Sequence, residues 1–302
     1  MIKQNDLMKG ILLAFITSII SGVAIFYSKI SVAKIDPLVL TTLRNLFVGL
    51  IFFCFLLFNR KLSQLKTLTK RELILLVLIG IIGGSVPFYL FFSGIKMIGM
   101  QSANIIHKSL FIWVTLLAGL FLGEKLNLGF IAAGLLVFIG NFFFVPVQMV
   151  FGRGEQLVLL ATLLWSVENI LAKRVLSKTS SELVGIFRMS IGGLVLLFIT
   201  FVTGKAALLF RLNSSELFTI FIGGSILFFY VFTWYKSLKY APASLVVLIL
   251  TFSLVVGNIL SGVFAQTKLS MKEVGSIILV GNGVAILLLT KLLAVVKPKQ
   301  AK

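Results

Sequence analysis

Ten stretches of roughly twenty mostly apolar residues follow one another along this chain, and about twenty is the length a helix needs to cross a bilayer. They are approximately Gly10–Ser28, Leu38–Phe58, Leu73–Gly94, Ser102–Leu122, Leu128–Val147, Leu157–Ala172, Leu183–Thr203, Leu217–Tyr235, Pro242–Ala265 and Val274–Leu292. The connections between them are short, roughly 5 to 15 residues, which leaves no room for a separate soluble domain. With 59% apolar and only 12% charged residues, the chain also lacks the polar surface that would keep a folded domain in water. Disorder is excluded on the same ground, since it requires low hydrophobicity. Lys3 and Lys9 precede the first stretch, but no Ala-x-Ala site follows it, so it is expected to remain as a first membrane helix.

The 28 Lys and Arg against 9 Asp and Glu would suggest nucleic acid in a soluble protein. In a membrane chain such an excess reports topology instead. With the N-terminus inside, 17 loop cations fall on the inner side and 8 on the outer. The expectation is therefore a multi-pass protein of the cytoplasmic membrane, both termini cytoplasmic, in contact with lipid and with no nucleic-acid partner. A single cysteine, Cys54, and a single histidine, His107, allow neither an intrachain disulfide nor a clustered metal centre. No Gly-Lys-Ser/Thr phosphate loop is present, so no ATP-driven step and no cofactor are expected.

The sequence repeats itself at offsets of 140 to 144. Arg44 falls on Arg188, Gly49-Leu50 on Gly193-Leu194, Gly83-Gly84-Ser85 on Gly223-Gly224-Ser225, Lys96 on Lys236, Lys29 on Lys173, Lys125-Leu126 on Lys268-Leu269 and Gly140 on Gly283. Residues 1–150 and 151–302 thus read as two five-helix units. Five is odd, so the second unit enters the membrane in the opposite sense. The expected fold is an all-α membrane protein of ten transmembrane helices in two inverted repeats, an arrangement that lets a transporter alternate around a midplane site.

These residues carry a resemblance. Leu43-Arg44 to Gly49-Leu50, Phe187-Arg188 to Gly193-Leu194, the paired glycines of helices three and eight, Leu122-Gly123-Glu124-Lys125-Leu126 ending helix four, and Trp165-Ser166 with Lys173-Arg174 around helix six are similar to the EamA-type proteins of the drug/metabolite transporter superfamily. The similarity spans the whole chain. It implies a ten-helix carrier of small metabolites, often an exporter, whose cavity is lined by helices one, three, four, six, eight and nine. The chain departs from that pattern at Ser21-Gly22, where a tryptophan is expected. It departs again at Ala265-Gln266-Thr267, which lacks the glutamate, and at His107-Lys108-Ser109, where helix four has no proline.

Charges inside a membrane helix cost about 2.5 to 3.5 kcal/mol on insertion scales, so each one needs a reason. Arg44 and Arg188 are repeat mates, each early in its helix, and are expected to be structural, bonding carbonyls or snorkelling. His107, Lys108 and Glu168 break the symmetry, their repeat equivalents being Val247, Leu248 and Ala24. A residue that only keeps the fold should recur in both halves, so these three are candidates for substrate binding or coupling. Helical spacing puts Thr162, Trp165, Glu168 and Ala172 on one face of helix six, and Gln101, Asn104, Lys108, Phe111 and Thr115 on one face of helix four. Both faces are expected to look into the bundle. Glu168, Lys108, His107, Trp165, Asn104 and Phe111 are therefore the candidate site, with a small-molecule substrate and a coupling proton as its ligands.

Three functions fit this reading. A secondary transporter exporting a small metabolite leads. An exchanger of anionic organic or phosphorylated solutes is favoured by the positive charge of Lys108. An intramembrane enzyme using His107 and Glu168 as acid and base is weaker, because the pair sit on different helices at different depths and acid–base work needs hydrogen-bond reach.

Overall fold

The computed structural model describes residues 4–142, 151–264 and 271–296. Lys3, Ala265-Gln266-Thr267, Lys268-Leu269, Lys297, Lys299 and Lys302 lie outside the described residues. Everything described is helix or short connection. The helices are α1 (Gln4–Lys34), α2 (Pro37–Phe58), α3 (Lys70–Gly84), α4 (Val86–Lys108), α5 (Leu110–Leu122), α6 (Leu128–Phe142) and α7 (Arg153–Leu176). They continue with α8 (Ser181–Val202), the one-turn α9 (Ala206–Leu209), α10 (Ser214–Tyr240), α11 (Ala243–Leu250), α12 (Ser253–Phe264) and α13 (Met271–Val296). Among the described residues nine helical stretches are long and apolar enough to cross a membrane, and Leu128–Asn141 is a tenth, shorter one. The chain is an all-α membrane protein.

Local chemistry fixes the ends. Asp36 caps α2, its carboxylate accepting from the Leu38 and Val39 amides, with Pro37 at the first helical position where no amide is needed. Thr69 with Glu72 and Asn213 with Glu216 form capping boxes on α3 and α10. Gly123 closes α5 at φ 65°, a left-handed cap that costs glycine little.

The third and fourth spans differ from two plain helices joined by a loop. Helix α4 carries the chain through a reversal at Gly99, whose φ of 77° and ψ of 162° are open only to glycine, so the two spans meet there without a loop. The third span is also broken at Ser85, and the fourth at Ser109 between α4 and α5. The first break has a cause in sequence: Pro87 has no amide to give to the carbonyl of Gly83. That carbonyl instead accepts the Trp165 indole Nε1–H at 2.9 Å, and the carbonyl of Gly84 accepts from Asn45 Nδ2 at 2.6 Å. The ninth span is broken in turn between α11 and α12, at Thr251 and Phe252, two to three residues past Ile249, the repeat counterpart of Ser109.

The packing pairs repeat across the two halves. α1 lies on α10 as α7 lies on α4; α2 lies on α10 as α8 lies on α3; α1 meets α12 as α7 meets α5. α2 with α8 and α6 with α13 each join equivalent helices of the two halves. Every such pair survives exchange of the halves, as a two-fold relation between inverted repeats requires. Gly84 and Gly192 make the closest of these approaches: a Cβ on Gly84 would lie 1.9 Å from the Arg188 carbonyl oxygen, so only glycine permits α3 to sit on α8.

The side on which α1 begins is called the near side below. Ion pairs tie the halves together on both sides. On the far side Lys205 Nζ lies 2.8 Å from Asp36; on the near side Glu182 takes Lys61 of the other half, and Lys236 of its own half, each at 3.7 Å. Burial alone would raise the Asp36 carboxyl. The bond and charge of Lys205, with the two capping amides, prevail and hold it below the usual carboxylate value.

Candidate functional site

A cavity opens between the halves, about 860 Å³ with the open space at its mouth included. The first and sixth spans line it at equivalent positions, Ser21, Ala24 and Ile25 on α1 and Trp165, Glu168 and Asn169 on α7. The repeat thus supplies a neutral wall on one side and an indole, a carboxylate and an amide on the other. Phe88, Phe91 and Phe92 come from α4, and Leu227, Tyr230 and Trp234 from α10. Beyond the Gly99 reversal, Met100, Asn104 and His107 face it as well, followed by Leu110 on α5.

The aromatic groups form a continuous cage. His107 lies 4.9 Å from Trp165 and 5.2 Å from Phe91, and Trp165 lies 5.3 Å from both Phe88 and Phe91. Across the cavity Tyr230 stacks on Trp234 at 6.0 Å. Such rings offer large apolar area with little side-chain freedom to lose on binding.

At the floor lies Glu168, 1% exposed. Its Oε1 accepts the hydroxyl of Tyr235 at 2.5 Å, while Oε2 is buried without a hydrogen-bond partner. The counter-charge that acts on Glu168 electrostatically is Arg188. Its guanidinium lies 5.6 Å from the Phe88 ring and 5.8 Å from that of Tyr235. Arg44 is its repeat mate, and the halves treat the two alike: Arg44 lies against Gly223 of the second half, donating Nη2 to its carbonyl at 3.1 Å, and Arg188 lies against Gly83 of the first. A Cβ on Gly83 would lie 2.4 Å from Glu168 Cγ and 3.2 Å from Arg188 Nε, so the paired glycines make room for both charges.

The structure thus gathers Glu168, His107, Trp165 and Asn104 around one cavity, and adds Arg44 and Arg188 to them. Arg44 does bond a carbonyl, as a structural residue should, but of a glycine across the bundle and beside the cavity. Depth along a helix carries no information about which way a side chain points. Lys108 and Phe111 are placed elsewhere: neither lines the cavity. Lys108 is 5% exposed and donates Nζ to Ser253 Oγ at the start of α12, and Phe111 is in the hydrophobic core. The reason is the start and break of the fourth span. Its inward stripe runs through Met100, Asn104, His107 and Leu110, and the break at Ser109 takes α5 out of register with a face counted along one straight helix. On α7, Thr162 and Ala172 share the expected face but are wholly buried, with Thr162 Oγ1 donating to the Val158 carbonyl. Among the described residues the ninth span contributes nothing to the lining, whereas the second and seventh contribute one arginine each.

Tyr235 and Asn169 were not among the expected residues. Asn169 was visible as a second polar group beside Glu168 in an apolar run. Nothing in sequence marked Tyr235 out from the other tyrosines.

The near side of the bundle is held by the end of the fourth span. Glu124, just past the Gly123 cap, accepts from the Ala243 amide at 2.7 Å, and from the Ser244 amide at 3.0 Å and hydroxyl at 2.5 Å. It thereby caps α11, a helix of the other half whose own N-cap, Pro242, has no side chain to offer. Lys173 Nζ completes the tie from α7, donating to the carbonyls of Leu238 at 2.5 Å and Ala241 at 2.7 Å.

Two repeats of membrane helices around a partly polar, aromatic-walled cavity define a membrane transporter. The sequence model of the EamA-like transporter family matches twice, at residues 8–145 and 152–289, and the chain belongs to that family, within the drug/metabolite transporter superfamily. It is therefore a multi-pass protein of a cell membrane with a small-molecule substrate. Among solved structures, one described only as the crystal structure of a protein is 18% identical, with a TM-score of 0.76, over 93% of this chain and 98% of that one. At that identity the likeness concerns the fold alone. A search of curated proteins finds no match.

Proposed function

We propose that the chain is a secondary transporter that exports a small metabolite across the cytoplasmic membrane by alternating access around this cavity, and that it catalyses no reaction. One observation carries the reading. Of the eleven buried side-chain polar atoms without partners among the described residues, eight belong to residues lining this one cavity: Glu168 Oε2, the Nε and Nη1 of both Arg44 and Arg188, Asn104 Oδ1, Asn169 Oδ1 and His107 Nδ1; the other three, on Asn45, Thr115 and Asn141, lie outside it. Orphaned polar groups are costly in a membrane interior, and a solute or water that enters satisfies them. Their chemistry favours a solute with an apolar body against the rings and a polar head that meets both a carboxylate and a guanidinium. Glu168 also carries the coupling proton in this reading, its free oxygen being the acceptor.

The cavity reaches from Ser28 and Met100, close to the far side, down to Glu168, while Glu124 and Lys173 hold the near side together. This is the far-side-open half of the cycle. The excess of cations in the near-side loops supports cytoplasmic termini, which makes the open side external. The units that rock are residues 1–150 and 151–302.

A second reading, an exchanger of anionic solutes, now rests on the two cavity arginines against one glutamate instead of on Lys108. The enzyme reading is weakened, since His107 is held in the aromatic cage and no hydrogen bond joins it to Glu168 among the described residues. Metabolite profiling of medium and cell extract, with and without the protein, tests the proposal. Export predicts one or a few small solutes, of unchanged mass, enriched in the medium and depleted inside. A new chemical product in place of a relocated solute would favour the enzyme reading.

A further inference from the structure

Helix α13 presents an outward face with a seven-residue period. Met271, Ile278 and Ala285 recur at one heptad position, and Gly275, Asn282 and Leu289 at another four residues on. Met271, Ile278 and Leu289 are 86%, 55% and 57% exposed, and Asn282 and Ala285 are exposed with them. Asn282 stands eleven residues into the span, ~16 Å along its axis and so near the bilayer centre. Its amide makes no hydrogen bond to any described residue. A lipid-facing amide at that depth has nothing to bond to.

The other half shows that the fold does not require this amide. α6 packs on α13 through Gly140 and Gly283, and its equivalent outward positions are Leu128, Ala132, Leu135 and Ile139, a surface suited to lipid throughout. Beside Asn282, a Cβ on Gly281 would meet nothing within 4 Å, so another backbone can approach closely.

We infer that the outer face of α13 is the interface of a homodimer, in which two parallel copies of α13 pack along this heptad seam and the two Asn282 amides bond to each other. An amide carries donor and acceptor together, so it is complementary to its own image across a two-fold axis. A single asparagine at one heptad position among apolar ones also fixes register and pair state in coiled helices. The axis lies along the membrane normal, which keeps both copies in the same topology.

The test uses the full chain in native membranes, with Cys54→Ser removing the natural thiol and Ala285→Cys placing one thiol on the seam. Mild oxidation should yield a covalent dimer of twice the chain mass, and fluorescent single molecules in dilute lipid vesicles should bleach in two steps. Leu135→Cys on α6 should give little dimer. Asn282→Leu, which a lipid-exposed site tolerates, should weaken dimerisation about tenfold, and Asn282→Gln should restore most of it. The inference is overturned if Ala285→Cys crosslinks no better than Leu135→Cys, if Asn282→Leu dimerises like the parent, or if the adduct has the mass of a different protein.

Discussion

Glu168 and Arg188 are the residues on which the account of transport turns, and they differ in how visible they were. Glu168 stood out in sequence because an ionisable side chain in an apolar span is costly and its repeat mate is Ala24. Arg188 was hidden by its symmetry: a matched arginine in each half looks like architecture. In the structure it serves both ends, lying against the glycine pair of the other half and beside the carboxylate at the cavity floor. A guanidinium presents several donors in a fixed plane, whereas an ammonium is a compact point charge. Arg188→Lys should therefore keep the protein folded and the charge near Glu168, yet lose donors to the solute head. The expected outcome is a rise in the transport KM of about tenfold or more with normal membrane expression, read in vesicles loaded with the exported solute. An unchanged KM would remove Arg188 from the binding site.

Among the elements, the intact spans were legible and the broken ones were not. Apolar length locates a membrane helix well because the bilayer imposes it. It says little about discontinuities at Ser85, Ser109 and Thr251, since a break inside the membrane leaves hydropathy untouched. Pro87 gave a signal for the first break; the freed carbonyls of Gly83 and Gly84 then needed Trp165 and Asn45, residues far away in sequence. The same lack of local signal hid the face of the fourth span, and with it the placement of Lys108. Glu124 belongs to this scale too, because it joins the end of one broken span to the start of another. Replacing it by Ala leaves two amides of α11 without their acceptor, at a cost of about 1–2 kcal/mol to the near-side-closed form. With Cys54→Ser and a reporter Ser237→Cys on buried α10 backbone, near-side labelling by a membrane-impermeant thiol reagent should quicken several-fold in Glu124→Ala. Equal labelling rates would mean that Glu124 does not hold the near side shut.

At the scale of the whole molecule, the inverted repeat was the most legible feature, because glycines and arginines matched at offsets of 140 to 144 survive as both sequence and packing. What the two halves do differently was harder to read. They share a scaffold, but where the first half has Ser21, Ala24 and Ile25 on the cavity wall the second has an indole, a carboxylate and an amide, and only the second has an amide at the outward position of Asn282. A symmetric frame with an asymmetric lining is what a carrier needs if its two end states are to be alike in energy while one polar site serves both. The most direct measurement is counterflow of the exported solute in proteoliposomes across a range of pH, comparing the parent with Glu168→Gln, which keeps shape and removes the charge. The account predicts that the parent's rate varies with pH, and that the variant, inserted at parental levels, is at least about tenfold slower with a flat profile. Parental rates and a parental pH profile in Glu168→Gln would contradict it, leaving a transporter fold whose working site lies elsewhere.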